Sequence, residues 1–136
     1  MDFLKSLVTA ASGLQAQSGR MRIIAENIAN ADSTAQTPEG DPYRRQIPTF
    51  RAALDRETDS RTVELGPVRP DRGEFRLRYD PSHPAANDEG YVAMPNVNRL
   101  VEAMDMRNAQ RSYEANLNVV QSTRQMISRT LDILRA

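Results

Sequence analysis

All eight prolines of this 136-residue chain lie between Pro38 and Pro95. Proline lacks a backbone N–H and clashes with the preceding helical turn, so it ends or kinks helices. The first 37 and last 41 residues contain none and are free to form long helices, whereas the middle is not. Glycine agrees in part: Gly40, Gly66, Gly73 and Gly90 fall in the middle, and Gly13 and Gly19 interrupt the first arm. The expected fold class is α+β, with an N-terminal helix over residues 1–30, an irregular β-rich middle over 31–95 and a C-terminal helix over 96–136.

Both arms carry a heptad. In the first, Leu4, Leu7, Ala11, Leu14, Ser18, Met21, Ala25 and Ile28 recur at alternating intervals of three and four, with only Ser18 polar. In the second, Met106, Gln110, Tyr113, Leu117, Val120, Arg124, Ile127, Leu131 and Leu134 continue the same rhythm, broken by Gln110 and Arg124. Val97, Val101 and Met104 mark an earlier stretch in another register, and Asn96, after Pro95, reads as the N-cap. At 1.5 Å per residue the helices would be about 43 Å and about 60 Å long, beyond the ~30 Å span of a small domain. One heptad stripe is usually an ordinary core face. Two long arms with little apolar material between them point instead to an intermolecular role, with pairing in a coiled-coil-like layer. Its expected interface is Leu4, Leu7, Leu14, Met21 and Ile28 with Met106, Tyr113, Leu117, Val120, Ile127, Leu131 and Leu134. The small residues Ala10, Ala11, Ser12, Gly13 and Ala16 would let helices approach closely.

The middle holds 12 acids and 9 arginines over residues 31–94. Phe75-Arg76-Leu77-Arg78-Tyr79 alternates and predicts a half-buried strand. Val63-Glu64-Leu65 is a shorter candidate, and Tyr91-Val92-Ala93-Met94 follows the turn signal Asn87-Asp88-Glu89-Gly90. Residues 43–50 read as extended, with Pro48 at an end or edge. Residues 53–60 read as a short helical turn or a mobile stretch. A few irregular strands are expected, without a deep core.

Composition excludes much chemistry. There is no cysteine, so no disulfide, thiol nucleophile or cysteine-ligated metal. The single histidine, His83, sits between Pro81 and Pro84 and reads as an exposed loop residue without a catalytic or metal role. No phosphate-binding loop, dinucleotide turn or nucleophile elbow occurs. The acids of 55–59 and 88–89 read as solvated surface, and Glu26 as an i−4 partner of Arg22. The chain therefore reads as no enzyme, with no cofactor and no metal. Arg69, Arg72, Arg76 and Arg78 interleave with Phe75 and Tyr79, but Asp71, Glu74 and Asp80 dilute the field and the net charge is zero, so no nucleic-acid partner is expected. No segment approaches the ~20 apolar residues of a membrane span. The N-terminus lacks the basic region of a cleaved secretory signal, leaving export by another route open.

Two segments carry a resemblance. Ser12-Gly13-Leu14, Ala16-Gln17, Met21 and Asn27-Ile28-Ala29-Asn30 resemble the N-terminal signature of the bacterial flagellar rod and hook protein family. Arg111-Ser112-Tyr113-Glu114-Ala115-Asn116, leading into the last helix, is similar to the family's second signature. Asn30-Ala31-Asp32-Ser33, Asp41-Pro42-Tyr43-Arg44 and the run from Gly90 to Asn98 resemble the short proximal-rod members. Glu26 and Arg124 depart from the common pattern. The resemblance implies a structural subunit of the flagellar basal body. Its terminal helices would line the export channel, and a β-rich segment would pack outside them. It implies partners among other rod subunits, copies of itself and the export-gate or MS-ring adaptor proteins. It also implies passage through the flagellar type III apparatus without cleavage, periplasmic assembly and transmission of torque. A soluble coiled-coil adaptor that binds partner helices would explain the heptads equally well, but not the paired signatures.

Overall fold

The computed structural model describes residues 2–136. The elements run α1 (Phe3–Ala29), β1 (Gln46–Ile47), β2 (Phe50–Asp55), β3 (Ser60–Leu65), β4 (Arg69–Pro70), β5 (Arg76–Tyr79), β6 (Tyr91–Met94) and α2 (Arg99–Arg135). This is the expected α+β arrangement of two terminal helices that pack against each other and small strands between them. The strands form three separate antiparallel ribbons, β1–β4, β2–β3 and β5–β6. The chain divides into two compact units: one contains residues through Met21, Thr49–Pro67 and Arg107–Ala136, the other Arg22–Pro48 and Val68–Met106.

In the first unit, α1 buries Ala10, Gly13 and Ala16, and α2 buries Ala109 and Thr123. The helices meet through small residues. A Cβ placed on Gly13 would lie 2.7 Å from Nδ2 of Asn116. Along the heptad stripe of α1, Leu4 is 58% exposed, and Leu7 and Leu14 are half-buried. The β2–β3 ribbon pairs from Phe50↔Leu65 to Asp55↔Ser60. It replaces the turn or mobile stretch expected over 53–60. The reversal is made by Asp55, whose carboxylate accepts from Glu57 N and from the Thr58 hydroxyl at 3.0 Å each, and by Asp59 at φ 52°. Aspartate bonds its own following backbone and tolerates the left-handed region.

In the second unit, α1 buries Ile23, Ile24 and Asn27, and the chain continues into buried Ala31. The β5–β6 ribbon pairs Arg76↔Met94 through Tyr79↔Tyr91. Val92 and Met94 form a small core with Ala85, covered by Ala35 and Ala86. β5 is exposed along its length, contrary to the half-buried strand that the alternation predicts. Its partner β6 supplies the buried side chains, while Arg76 lies across the ribbon and donates to the Pro95 carbonyl at 3.2 Å. The α2 N-cap is Asn98, not Asn96: Leu100 N and Val101 N donate to its Oδ1 at 3.0 and 3.4 Å. The Asn87–Gly90 turn forms where its residues predict it, with Gly90 N donating to Asn87 O at 3.0 Å.

Gly90 adopts φ +88°, and a Cβ there would lie 2.9 Å from the Tyr79 ring. Gly90→Ala is expected to destabilise the second unit by at least about 1 kcal/mol, from the left-handed backbone and the contact together. Urea denaturation checks it; an unchanged midpoint would count against this account of the turn.

Candidate functional site

Among the described residues no group of histidine, cysteine, aspartate or glutamate is placed to hold a metal ion, and no helix is long and apolar enough to cross a membrane. His83 is half-buried and not the exposed loop residue expected. Its Nδ1 accepts from Ala85 N at 3.0 Å, and its Nε2 lies 3.1 Å from the Thr34 hydroxyl. The acceptor at Nδ1 leaves Nε2–H to donate in the neutral ring. The arginines of the 69–78 run are dispersed: Arg76 bonds main-chain carbonyls, and Arg78 lies 3.7 Å from Asp80. Phe75 is stacked under Arg44, 4.1 Å from its guanidinium.

What the second unit does contain is a buried polar cluster. Asn27 and Glu102 are 0% and 1% exposed. The Asn27 amide uses all its capacity. Its Oδ1 accepts from the Tyr43 hydroxyl at 2.7 Å and from Gln46 N at 2.9 Å. Its Nδ2 donates to Gln46 O at 2.8 Å and to Glu102 Oε2 at 3.4 Å. Arg45 Nε bonds the other oxygen of Glu102, and its guanidinium lies 3.3 Å from Asp71 and 3.7 Å from Asp105. Asn96 accepts from Arg45 N at 2.8 Å and donates to Asp71 O and Gly73 O. A buried carboxylate is tolerable only when its lone pairs are met by such donors. Burial, with the nearby charges of Glu26 and Glu102, raises the Tyr43 pKa and keeps its phenol protonated as a donor. Gly73 N–H, 2.8 Å from its Oδ1, and then Arg45 hold Asp71 below the usual carboxylate range.

The signature residues divide by task. Gly13 and Asn116 form the close helix contact, with Asn116 also donating to the Ser112 carbonyl at 3.0 Å. Ser12 accepts from Val63 N at 3.2 Å and so holds β3. Asn27 anchors the cluster. Asn30 closes α1, donating to Glu26 O at 2.9 Å and accepting from Ser33 at 3.1 Å. Ile28 is half-buried and Ala29 exposed at the helix end. The sequence gives no sign of Glu102 and Arg45 as partners, and it marks Asn96 only as an N-cap, Tyr43 only within the Asp41–Arg44 resemblance and Asp71 only as an acid diluting the arginine run. The available signal was Glu102 itself, one acid inside the apolar run from Leu100 to Met104.

The remaining candidate surface is apolar. Of the heptad residues, Met21, Met106, Tyr113, Val120 and Ile127 are half-buried, while Leu117, Leu131 and Leu134 are exposed. Val119, Met126 and Ile133 are exposed as well and were missed, although they repeat every seven residues. They stand two residues beyond Leu117, Arg124 and Leu131, which is about 200° around a helix. The C-terminal part of α2 is therefore apolar on two nearly opposite flanks.

A subunit with uncovered helix faces and a structural polar cluster defines a protein of assembly. The chain matches the family descriptions "Flagella basal body rod protein" over residues 7–35 and "Flagellar basal body rod FlgEFG protein C-terminal" over residues 88–133. It is 51% identical over 127 residues to the flagellar basal-body rod protein FlgC of Agrobacterium fabrum, covering 93% of this chain and 91% of that one. The FlgC proteins of Aquifex aeolicus and Borreliella burgdorferi are 39% and 36% identical over 97% and 99% of both chains. The chain belongs to the family of flagellar basal-body rod proteins, structural subunits of the basal body.

Asn27→Ala strands the Tyr43 hydroxyl and the Gln46 main chain, and is expected to cost about 2–3 kcal/mol in denaturant unfolding. Glu102→Ala should cost more, and Glu102→Met with Arg45→Met together less than Glu102→Ala alone, because no charge is then left without its partner. Asp71 has a lowered folded pKa, so its contribution is full above the unfolded value and is lost as pH falls through the folded one. Asp71→Asn should flatten that acid limb of the stability–pH curve while leaving its neutral slope unchanged.

Proposed function

We propose that this chain polymerises through its terminal helices as a subunit of the proximal rod, forming part of the torque-transmitting shaft around the export channel. The observation that carries this reading is the uncovered apolar surface of the helices. Leu131, Ile133 and Leu134 are 48%, 74% and 76% exposed, next to exposed Leu117, Val119 and Met126. Burying one such side chain gains roughly 1.5–3 kcal/mol, so a neighbouring helix on each flank stabilises the polymer strongly. The interface consists of Leu4, Leu7, Leu14, Met21 and Ile28 on α1, and Met106, Tyr113, Leu117, Val120, Ile127, Leu131 and Leu134 on α2.

In this reading residues 1–30 and 96–136 build the inner layer, and 31–95 lies outside it. The partners are other rod subunits and further copies of this chain, with the export-gate or MS-ring adaptor proteins at the base. The chain reaches the periplasmic rod through the flagellar type III apparatus without a cleaved signal. In this reading its task is structural rather than catalytic.

Leu14→Asp or Leu131→Asp is expected to abolish swimming and the recovery of this chain with basal bodies, with expression unchanged. Motility assays and fractionation check it; normal swimming of both variants would refute assembly through these stripes.

A further inference from the structure

The β2–β3 ribbon has one covered edge and one open edge. Thr9 donates to Arg61 O at 3.2 Å, and Ser12 accepts from Val63 N at 3.2 Å, so the outward groups of β3 are held by α1. Gly66 N donates to Thr49 O at 2.7 Å, which sets the parity of the ladder. In an antiparallel pair, residues alternate between facing the partner and facing away. With Arg61 and Val63 facing away, their opposites Leu54 and Ala52 also face away, on the free side of β2. Among the described residues, no hydrogen bond reaches the main chain of Ala52 or Leu54. Both side chains are exposed along an open groove that Ala53, Asp59 and Arg61 complete. Folded proteins blunt such edges with proline, bulges or charge because they template pairing; β2 contains no proline.

We propose that two copies of the folded chain pair through this edge, β2 against β2, antiparallel and centred on Ala53. The strand Phe50-Arg51-Ala52-Ala53-Leu54-Asp55 is self-complementary about that centre. The outward groups of Ala52 meet those of Leu54 in the second copy, and the reverse, so both residues of each pair face each other as the ladder requires. Arg51 of each copy then stands opposite Asp55 of the other, in pairs whose side chains lie closest. Arg51 already bonds Glu64 across its own ribbon, so each dimer half continues an acid–base–acid row. Shifting the register by two residues keeps the ladder parity but sets Arg51 opposite Ala53 or Glu57, so centring on Ala53 is the choice that uses Asp55. Such a contact is isologous and closes on itself. It is a dimer of the folded subunit, separate from helix packing, and does not depend on the rod reading.

The chain lacks cysteine, so one introduced thiol links only to another copy. Ala53 would face itself at about 4.5 Å between Cα atoms, within disulfide range. Full-length Ala53→Cys, mildly oxidised, should form a disulfide dimer about tenfold faster than Ser82→Cys on an exposed loop, because pairing raises the local thiol concentration. The excess should persist when Leu131→Asp is added. A rate no faster than Ser82→Cys, or loss of the excess with Leu131→Asp, would overturn the proposal. Sedimentation of the Leu131→Asp chain without introduced thiol gives a second reading. A dimer that Leu54→Pro dissociates is expected; a monomer at every concentration would overturn the proposal.

Discussion

A carboxylate with 1% of its surface exposed must be answered from every side, and the second unit is built around that requirement. Glu102 sits in the first turns of α2 with Asn27 on one oxygen and Arg45 on the other. Arg45 in turn sets the place of Asp71 and, through its backbone N–H, of Asn96. The end of α1, the approach to β1, the turn after β4 and the start of α2 are thus fixed by one connected set of charges and amides. The same unit also buries Ile23, Ile24, Ala31 and Val97 beside the small core of Ala85, Val92 and Met94. Apolar burial holds the elements together, and the polar network, with no unmet member, confines how they are arranged.

The helices were legible because proline and glycine punctuate the sequence so sharply: α1 and α2 end within a few residues of the expected limits. The strand Tyr91–Met94 was legible from the turn before it, and the Val63–Leu65 end of the third strand from its alternation, but the start of that strand was not. The small residues Ala10, Gly13 and Ala16 are readable as a site of close helix approach, and they are buried, with Gly13 against Asn116. The cluster around Glu102 was not legible either, because its members lie far apart along the chain and none is unusual alone. Asn27 and Glu102 are separated by 75 positions, and only the folded chain brings them together. The N-cap misassignment has the same origin: Asn96 and Asn98 are both suitable, and the tertiary demand of Arg45 takes the first.

The two kinds of helix surface also divide labour. Small residues serve contacts within the chain, where tight approach matters. Large ones such as Leu131 and Ile133 stay uncovered, where burial against neighbours contributes most per side chain. A single chain of this size has too little apolar material elsewhere to cover both helices. The exposed faces follow from length and composition as much as from any local design.

The distance in sequence between the members of the Asn27, Arg45 and Glu102 cluster has a consequence in time. Asn27 belongs to the first helix, Arg45 to the segment after it and Glu102 to the first turn of the last helix. A polypeptide delivered one end at a time, in either direction, cannot lock this unit until at least three quarters of it has emerged. Until then Asn27 and Glu102 are not present together. The lock is therefore also a clock: it can set only when the end of the first helix and the start of the last are both present.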